Sequence, residues 1–386
     1  MKGLRWLARM LLGRARPAPA GPSGPRFLFL NYETALGHAV VATTTFAALK
    51  ARRPDAYIAV AACGLTANLL RASPLVDELI VTPHALTDTR RALSFFLRHI
   101  YPRRKAFDYV ATVGGNERSR VALLALASGV SRRVGLTLRP ELYTAGLLYD
   151  RSLSNITNNM RVLDAAGLPS DPAEPAVHFT ASDLAAVQTL LAEAPNAQGP
   201  RIAVVAASSK GHPNEWFDER WAELVRRLAE NLGAQIVFTG AKGDAAQIDA
   251  IRQAAGVATF SAAGRTDLPQ LAALMALSDL VVSIDTGGLH VARAVNAPSV
   301  VLANAAQPDH WWLPPKDDER FHILRHGHVP CALCLKFACA TRECMQESTV
   351  DQVERAVIEH LAAHPPSSQA RARRTEARTY DRRAAT

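Results

Sequence analysis

Short apolar runs alternate with longer segments of helical periodicity along the first half of this chain. The apolar runs fall at residues 27–30, 57–62, 79–81, 109–113 and 133–138. The helical segments fall near residues 65–72, 90–100 and 119–128, and a further one runs from the polar loop 31–38 towards Arg53. Strands that alternate with helices in this way predict a parallel sheet covered on both faces. The first half therefore predicts a doubly wound α/β domain.

A looser, proline-punctuated segment at residues 168–200 interrupts this rhythm and contains one helical pattern, near residues 182–193. The alternation then restarts. Predicted strands follow at residues 202–206, 235–239, 259–261, 280–284 and 299–302, with helices at 219–231, 245–255 and 268–277. A chain of 386 residues is long enough for two domains, and this pattern predicts a second doubly wound one.

These patterns predict six segments. They are a basic amphipathic leader and linker (1–25), an N-terminal Rossmann-like domain (26–180), a linker (181–200), a C-terminal domain (201–348), a C-terminal helix (349–365) and a disordered basic tail (366–386). The C-terminal helix is predicted from an apolar stripe at Val350, Val353, Val357 and Leu361.

The strand at residues 280–284 ends in Asp285-Thr286-Gly287-Gly288, and an alanine-rich helical pattern follows. A junction of this kind presents unpaired N–H groups and the positive end of a helix dipole, which suits a phosphate or pyrophosphate. Glycine also lets the backbone approach a ligand closely. The alternative is an ordinary strand-to-helix corner with Asp285 or Thr286 as the N-cap.

The formal charge of +9 is concentrated at the two ends of the chain. Residues 1–16 carry five basic side chains and no acid, and residues 366–386 carry six arginines against two acids. The body between them is neutral, which argues against a nucleic-acid-binding surface. Residues 1–16 fit a short amphipathic helix on an anionic membrane or, equally, a disordered basic leader. No apolar run is long enough to span a membrane.

Four of the five cysteines lie within fourteen residues, at Cys331, Cys334, Cys339 and Cys344. This spacing is compatible with tetrahedral thiolate binding of a structural zinc or iron ion. Two disulfides in an oxidising compartment and unliganded thiols are the alternatives. The sequence distance from the Asp285 loop argues against a catalytic role for this cluster.

Several of these motifs together resemble glycosyltransferase family 9, the ADP-heptose:lipopolysaccharide heptosyltransferase family. They are residues 282–298, the Phe-Thr-Gly at 238–240 with the Gly-Arg-Thr-Asp-Leu at 264–268, and residues 73–80, and the resemblance extends over residues 26–360. It implies the GT-B fold, in which two Rossmann-like domains face each other across a cleft. The acceptor is then expected in the N-terminal domain and the nucleotide-sugar in the C-terminal one.

The resemblance also implies the donor-binding residues. The family's Asp-Thr-Gly loop, which holds the diphosphate and the sugar of the donor, corresponds to Asp285, Thr286 and Gly287, with Gly288 adjoining. His290 is expected either beside the donor or as a structural histidine that braces the turn.

A second donor loop is implied at Ser208, Ser209 and Lys210, where the family has its first phosphate-approach loop. The family also places a lysine just before the tryptophan of the next helix, whereas Asn214-Glu215 precede Trp216 here. Lys210 substitutes for that lysine only if the loop folds back; otherwise it is solvated.

The catalytic position departs from the family pattern. Family members carry Gly-Asp after the first strand, and the Asp removes the proton of the acceptor hydroxyl; this chain has Gly37-His38. A neutral imidazole performs the same step near neutral pH. His38 is therefore the predicted base, with Glu33 in the same loop, or loss of catalysis, as alternatives.

The resemblance to this family implies an inverting glycosyltransferase. It would move a sugar such as heptose from a nucleotide-diphosphate donor to a lipopolysaccharide-core or other surface-glycan acceptor, with no catalytic cofactor. The expected location is cytoplasmic, at the inner face of the cytoplasmic membrane if residues 1–16 form the amphipathic helix, with no nucleic-acid partner. The alternative is a catalytically inactive GT-B-like nucleotide-sugar-binding or scaffold protein.

Overall fold

The computed structural model describes residues 23–195, 197–207 and 212–380. The chain divides between Pro175 and Ala176 into two compact units. Within the described residues of the first unit, six parallel strands form one sheet in the order β3-β2-β1-β4-β5-β6. This is the Rossmann strand order. The strands are β1 (Arg26–Asn31), β2 (Tyr57–Ala62), β3 (Glu78–Val81), β4 (Tyr109–Thr112), β5 (Arg132–Leu136) and β6 (Ala145–Leu147).

Helices cover both faces of this sheet. They are α1 (Leu36–Arg52), α2 (Gly64–Leu70), α3 (Thr89–Phe95), α4 (Ser119–Ala127) and α5 (Asn155–Ala165). The helix α3 continues into a π turn (Phe96–Ile100) and a 3-10 turn (Tyr101–Ala106). Alternate β1 side chains point to opposite faces, so Phe29 packs with Phe46 of α1 whereas Leu30 packs with Phe96 and with Leu124 of α4. The sheet is therefore buried on both sides.

The second unit repeats this topology. Within its described residues, six parallel strands lie in the order β12-β11-β10-β7-β8-β9. Read from the other edge, this is again the Rossmann order. The strands are β7 (Arg201–Val205), β8 (Gln235–Phe238), β9 (Phe260–Ser261), β10 (Leu280–Ile284), β11 (Ser299–Ala303) and β12 (Phe321–Arg325).

Local sequence explains where the helices of the second unit begin. Asp267 and Thr349 each close a capping box on their helix. The helices are α6 (Ala181–Leu191), α7 (Asp218–Leu232), α8 (Ala245–Ala255), α9 (Leu268–Leu277), α10 (Gly287–Ala294), α11 (Asp309–Trp312), α12 (Glu343–Gln346), α13 (Val350–Ala363) and α14 (Ser368–Arg378). The largest group of buried apolar side chains in the second unit, its main core, contains Trp216 and Trp221, whose rings pack edge to face.

The prediction of a disordered tail over residues 366–386 is wrong for residues 368–378, which form α14. Its arginines explain why. Arg371 pairs with the buried carboxylate of Asp279. Arg374 donates to the main-chain oxygens of Ala276 (3.1 Å) and Ser278 (2.6 Å), at the C-terminal end of α9. The basic residues that suggested disorder thus satisfy polar groups of the second unit.

The segment predicted as a linker at residues 181–200 contains α6, which packs against α9 of the second unit. Two strands were missed, as were the helix α5 and the two one-turn helices α11 and α12. The strand β6 is a three-residue Ala-Gly-Leu, and the edge strand β12, Phe-His-Ile-Leu-Arg, has no regular alternation of apolar and polar residues. The helix α5 begins with Asn-Ile-Thr-Asn-Asn, which favours a turn. None of the described helices is both long and apolar enough to cross a bilayer. The leader at residues 1–22 lies outside the described residues.

Candidate functional site

In the first unit, the strand order reverses between β1 and β4, which are neighbours. Connections from these strands run to opposite faces, so a crevice opens at their carboxyl ends. The loop after β1 carries Glu33 and leads to His38, and the loop after β4 carries Asn116. The predicted catalytic loop therefore lies at the topological switch point of its sheet.

Glu33 is buried in this crevice, with 7% of its surface exposed. Its Oε1 accepts a hydrogen bond from Asn116 Nδ2 at 3.0 Å, and Asn116 Oδ1 accepts one from the backbone N–H of Tyr32 at 2.7 Å. Gly115, at φ +84°, is required there because a side chain at this position would overlap the Glu33 carboxylate. Burial, assisted by the nearby Glu117, raises the pKa of Glu33 to about 8. Glu33 is therefore largely protonated at neutral pH.

His38 lies in the first turn of α1 and is half-buried. Burial, with the positive charge of Arg118 as a smaller cause, lowers the pKa of His38 to about 4. Its imidazole is therefore neutral throughout the physiological range and has one nitrogen able to accept a proton.

The second unit has its switch point between the neighbouring strands β7 and β10. The Asp285 loop leaves β10 there and enters α10, with Thr286 as the N-cap residue. The Thr286 side chain makes no capping bond, and its buried Oγ1 has no hydrogen-bond partner in the described part of the chain. A buried hydroxyl without a partner in the described residues, beside the first N–H groups of a helix, is suited to a bound anion.

Asp285 is half-buried, and withdrawal of its carboxylate from water raises its pKa to about 6. Its main-chain oxygen accepts a hydrogen bond from Asn214 Nδ2, and Asn304 Nδ2 donates to Asn214 Oδ1. The backbone N–H of Ala306 donates to Asn304 Oδ1 at 2.6 Å. Two buried amides thus join the loops that follow β7, β10 and β11.

Sequence reasoning missed Asn304 and gave Asn214 no role. The only signal in the sequence was a polar residue immediately after the apolar run of β11, in Val-Leu-Ala-Asn.

Gly288 and His290 also make packing contacts within the second unit. Gly288 lies against Val205 of β7, and a Cβ at Gly288 would lie 2.8 Å from Val205 Cγ1. His290 is 3% exposed, and its ring centre lies 5.5 Å from that of Trp312. The predicted donor contacts of Asp285, Thr286, Gly287, Gly288 and His290 stay predictions. Ser208, Ser209 and Lys210 lie outside the described residues.

The predicted tetrahedral metal site is not assembled. No three His, Cys, Asp or Glu side chains within the described ranges are placed to hold a metal ion together, and the five thiols form no disulfide. The Sγ of Cys331 lies 3.7 Å from Glu343 Oε2, whereas Cys339 accepts a hydrogen bond from the Arg342 N–H at 3.3 Å. Cys344 instead packs in the main core, and Cys334 is half-buried. Cys331 packs against the same core that contains Cys344, but Cys331, Cys334, Cys339 and Cys344 are not arranged as one ligand set.

The chain is similar to several known proteins. The curated lipopolysaccharide heptosyltransferase 2 of Escherichia coli strain K12 is 27% identical over 365 residues, which cover 85% of this chain and 95% of that protein. The solved glycosyl transferase family 9 structure from Veillonella parvula DSM 2008 has a TM-score of 0.76 at 18% identity, covering 88% of this chain and 98% of that one.

The solved E. coli ADP-heptose lps heptosyltransferase II has a TM-score of 0.69 at 20% identity, covering 88% of this chain and all of that one, 100%. At these identities the two structures establish the fold, which is of the GT-B type. The family model described as Glycosyltransferase family 9 (heptosyltransferase) matches residues 102–344, more than half of the chain. The chain therefore belongs to glycosyltransferase family 9.

Proposed function

We propose that this chain transfers a heptose from ADP-heptose to a lipopolysaccharide-core or other surface-glycan acceptor, with inversion at the anomeric carbon. The observation that carries the proposal is the position of Asp285 and Thr286, at the N-terminus of α10 and at the switch point of the second sheet. A nucleotide diphosphate is the ligand class that such a corner binds. The proposed donor and acceptor are taken from the names of the E. coli relatives, which include ADP-heptose and lipopolysaccharide.

In this proposal, His38 is the general base. Its neutral imidazole takes the proton of the acceptor hydroxyl while the hydroxyl oxygen attacks the anomeric carbon. The bond from that carbon to the diphosphate breaks on the opposite side. Glu33, which is protonated and bonded to Asn116, holds the loop that carries the base. A base with a low pKa accepts a proton weakly, so much of the catalysis must come from stabilising the leaving group.

The leaving diphosphate is stabilised by the second unit. The first N–H groups of α10, the Thr286 hydroxyl and the positive end of the helix dipole provide fixed partial positive charge. Ser208, Ser209 and Lys210 complete the proposed donor site. No step uses a metal ion or other cofactor. A structural metal at the cysteines forms no part of the proposal, because no group of ligands within the described residues is placed to hold one.

A cytoplasmic location, with residues 1–16 on the inner face of the membrane, is retained as part of the proposal. A non-catalytic scaffold has no support in the comparisons, because the curated relatives are themselves named as transferases.

The direct test is to supply the purified full chain with ADP-heptose and a lipopolysaccharide-core acceptor. ADP release and a new glycosidic bond with inverted anomeric configuration, measured by NMR, are expected. If ADP binds but no glycosidic bond forms with any core acceptor, the proposed acceptor class is wrong. If neither ADP nor another nucleoside diphosphate binds, the donor-site assignment is wrong.

A further inference from the structure

Four leucines face solvent on one layer of the first unit. Leu93 of α3 and Leu97 of the π turn are 37% and 38% exposed, and Leu123 and Leu126 of α4 are each 46% exposed. Leu93 and Leu97 are four residues apart on a continuous helix, so they lie on one face. Leu123 and Leu126 are three apart and share a face of α4 for the same reason.

The two faces belong to a single surface. The helix α4 packs beside α3 and the π turn. The inward side chains of both, such as Ala92, Phe96 and Leu124, enter the same core cluster on the same face of the sheet. Their outward sides therefore form one layer, which we call the α3–α4 face.

The charge on the α3–α4 face is mostly positive. Arg90, Arg91 and Arg98 lie on α3 and its π turn, where the one acid is the N-cap residue Asp88, which pairs with Arg91. Glu117 is the acid next to α4. Arg90 and Arg98 are exposed, and within the described ranges neither forms an ion pair. Arg118, also exposed, immediately precedes α4. Cationic groups among exposed leucines match the phosphate and acyl regions of an anionic lipid surface.

The basic end of this face is close to the proposed catalytic loop. The helices α3 and α4 both begin at the carboxyl edge of the parallel sheet, where Glu33 and His38 lie. The positive charge of Arg118 affects the pKa of both Glu33 and His38, which places it within electrostatic range of both.

We infer that the outward surface of α3, its π turn and α4 docks on an anionic lipid bilayer, with the leucines in the interfacial region and the arginines at the lipid phosphates. This surface is separate from residues 1–16. The inference does not depend on the transfer reaction, because docking requires neither donor nor acceptor. Its consequence is that the catalytic loop of the first unit is held near the membrane surface.

The test is flotation of the full chain with vesicles of phosphatidylcholine alone or mixed with phosphatidylglycerol. The unmodified chain is expected to bind the mixed vesicles and to bind neutral ones much more weakly, and added salt should reduce the binding. The double variant Leu97→Ser/Arg98→Glu should bind the mixed vesicles about tenfold more weakly, since each basic residue near the surface contributes to the attraction. Both positions are exposed, and an unchanged melting temperature verifies folding.

The matched control is Arg355→Glu/Ile358→Ser on α13 of the second unit, which also removes one exposed arginine and one exposed apolar side chain. It should bind as the unmodified chain does. Equal binding by the Leu97/Arg98 variant and the unmodified chain would overturn the inference and assign vesicle binding to residues 1–16. Equal binding to neutral and anionic vesicles would overturn it too, because the arginines would then have no role.

Discussion

The carboxylate of Glu33 accepts a hydrogen bond from the side-chain amide of Asn116 across 3.0 Å, although 83 residues separate them. This bond ties the loop after β1 to the loop after β4. The two titratable groups of this region, Glu33 and His38, have different protonation states. Glu33 is buried and largely protonated at neutral pH, whereas His38 is neutral and can accept a proton. The two candidate bases therefore predict different pH profiles.

The substitution His38→Ala should lower kcat by about 10²-fold to 10⁴-fold, the usual contribution of a positioned general base. Glu33→Gln should keep most of the rate, because glutamine resembles the protonated acid. With His38 as the base, kcat/KM should be nearly constant from about pH 5.5 to 7.5, above the pKa of His38. If kcat/KM instead rises steadily towards about pH 8 and Glu33→Gln is inactive, Glu33 is the base.

The raised pKa of Glu33 also predicts how stability changes with pH. The unfolded chain ionises this group near 4.5, whereas the folded chain resists ionisation up to about 8. The stabilisation is therefore fully present below about pH 4.5 and is lost as the pH rises towards about 8, by an amount on the order of a few kcal/mol. Melting temperatures of the unmodified chain and Glu33→Gln should diverge over this range, with the variant relatively more stable at the alkaline end. The exposed Glu219→Gln on α7 should instead parallel the unmodified chain.

The Thr286 hydroxyl should matter for the donor and not for folding. Thr286→Val keeps the shape of the side chain and removes a buried Oγ1 that lacks a partner in the described structure, so the melting temperature should not fall. Binding of ADP, measured by calorimetry, should weaken about tenfold, the equivalent of one hydrogen bond to a charged group. Thr286→Ser should retain binding. A loss of stability without a loss of ADP affinity would identify Thr286 as a purely structural residue.

The Asn214–Asn304 amide pair should hold the donor loop through the main-chain oxygen of Asp285. Asn304→Ala and Asn214→Ala should each raise the KM for the donor about tenfold, because each leaves a buried amide unsatisfied. The double variant should cost little more than either single variant, since both residues act through one chain of bonds. Asn231→Ala, which removes an exposed amide bonded to Glu354, serves as the control. Additive effects of the two variants would show that the residues act separately.

The cysteines should react with iodoacetamide one by one. A hydrogen bond from the Arg342 N–H lowers the pKa of Cys339, whereas burial and Glu343 raise that of Cys331. Cys339 should therefore be alkylated before Cys331, and the buried Cys344 and Cys63 last, as read by mass spectrometry. Simultaneous protection of Cys331, Cys334, Cys339 and Cys344, lifted together by a chelator, would restore the metal-site hypothesis.

The sequence determined the features that depend on near neighbours in the chain. Apolar runs and helical periodicity predicted most strands and helices, because burial on both faces of a parallel sheet demands those patterns. The strand-to-helix turn at residues 284–287 could also be predicted, because strand, loop and helix follow one another directly in the sequence. Family membership could be predicted from the order of such motifs, and the comparisons confirmed it.

Only the tertiary structure decided which distant side chains meet. The Rossmann strand order places β1 beside β4 and β7 beside β10, and so brings Glu33 to Asn116 and Asp285 to Asn214. The same long-range packing explains why residues 368–378 form α14 although they were predicted to be disordered. Arg371 pairs with the buried Asp279, and Arg374 donates a hydrogen bond to the main-chain oxygen of Ser278. Spacing along the chain determines which residues close in sequence share a face or a turn. Hydrogen bonds between residues 70 to 90 positions apart depend instead on the order of the strands in the sheet.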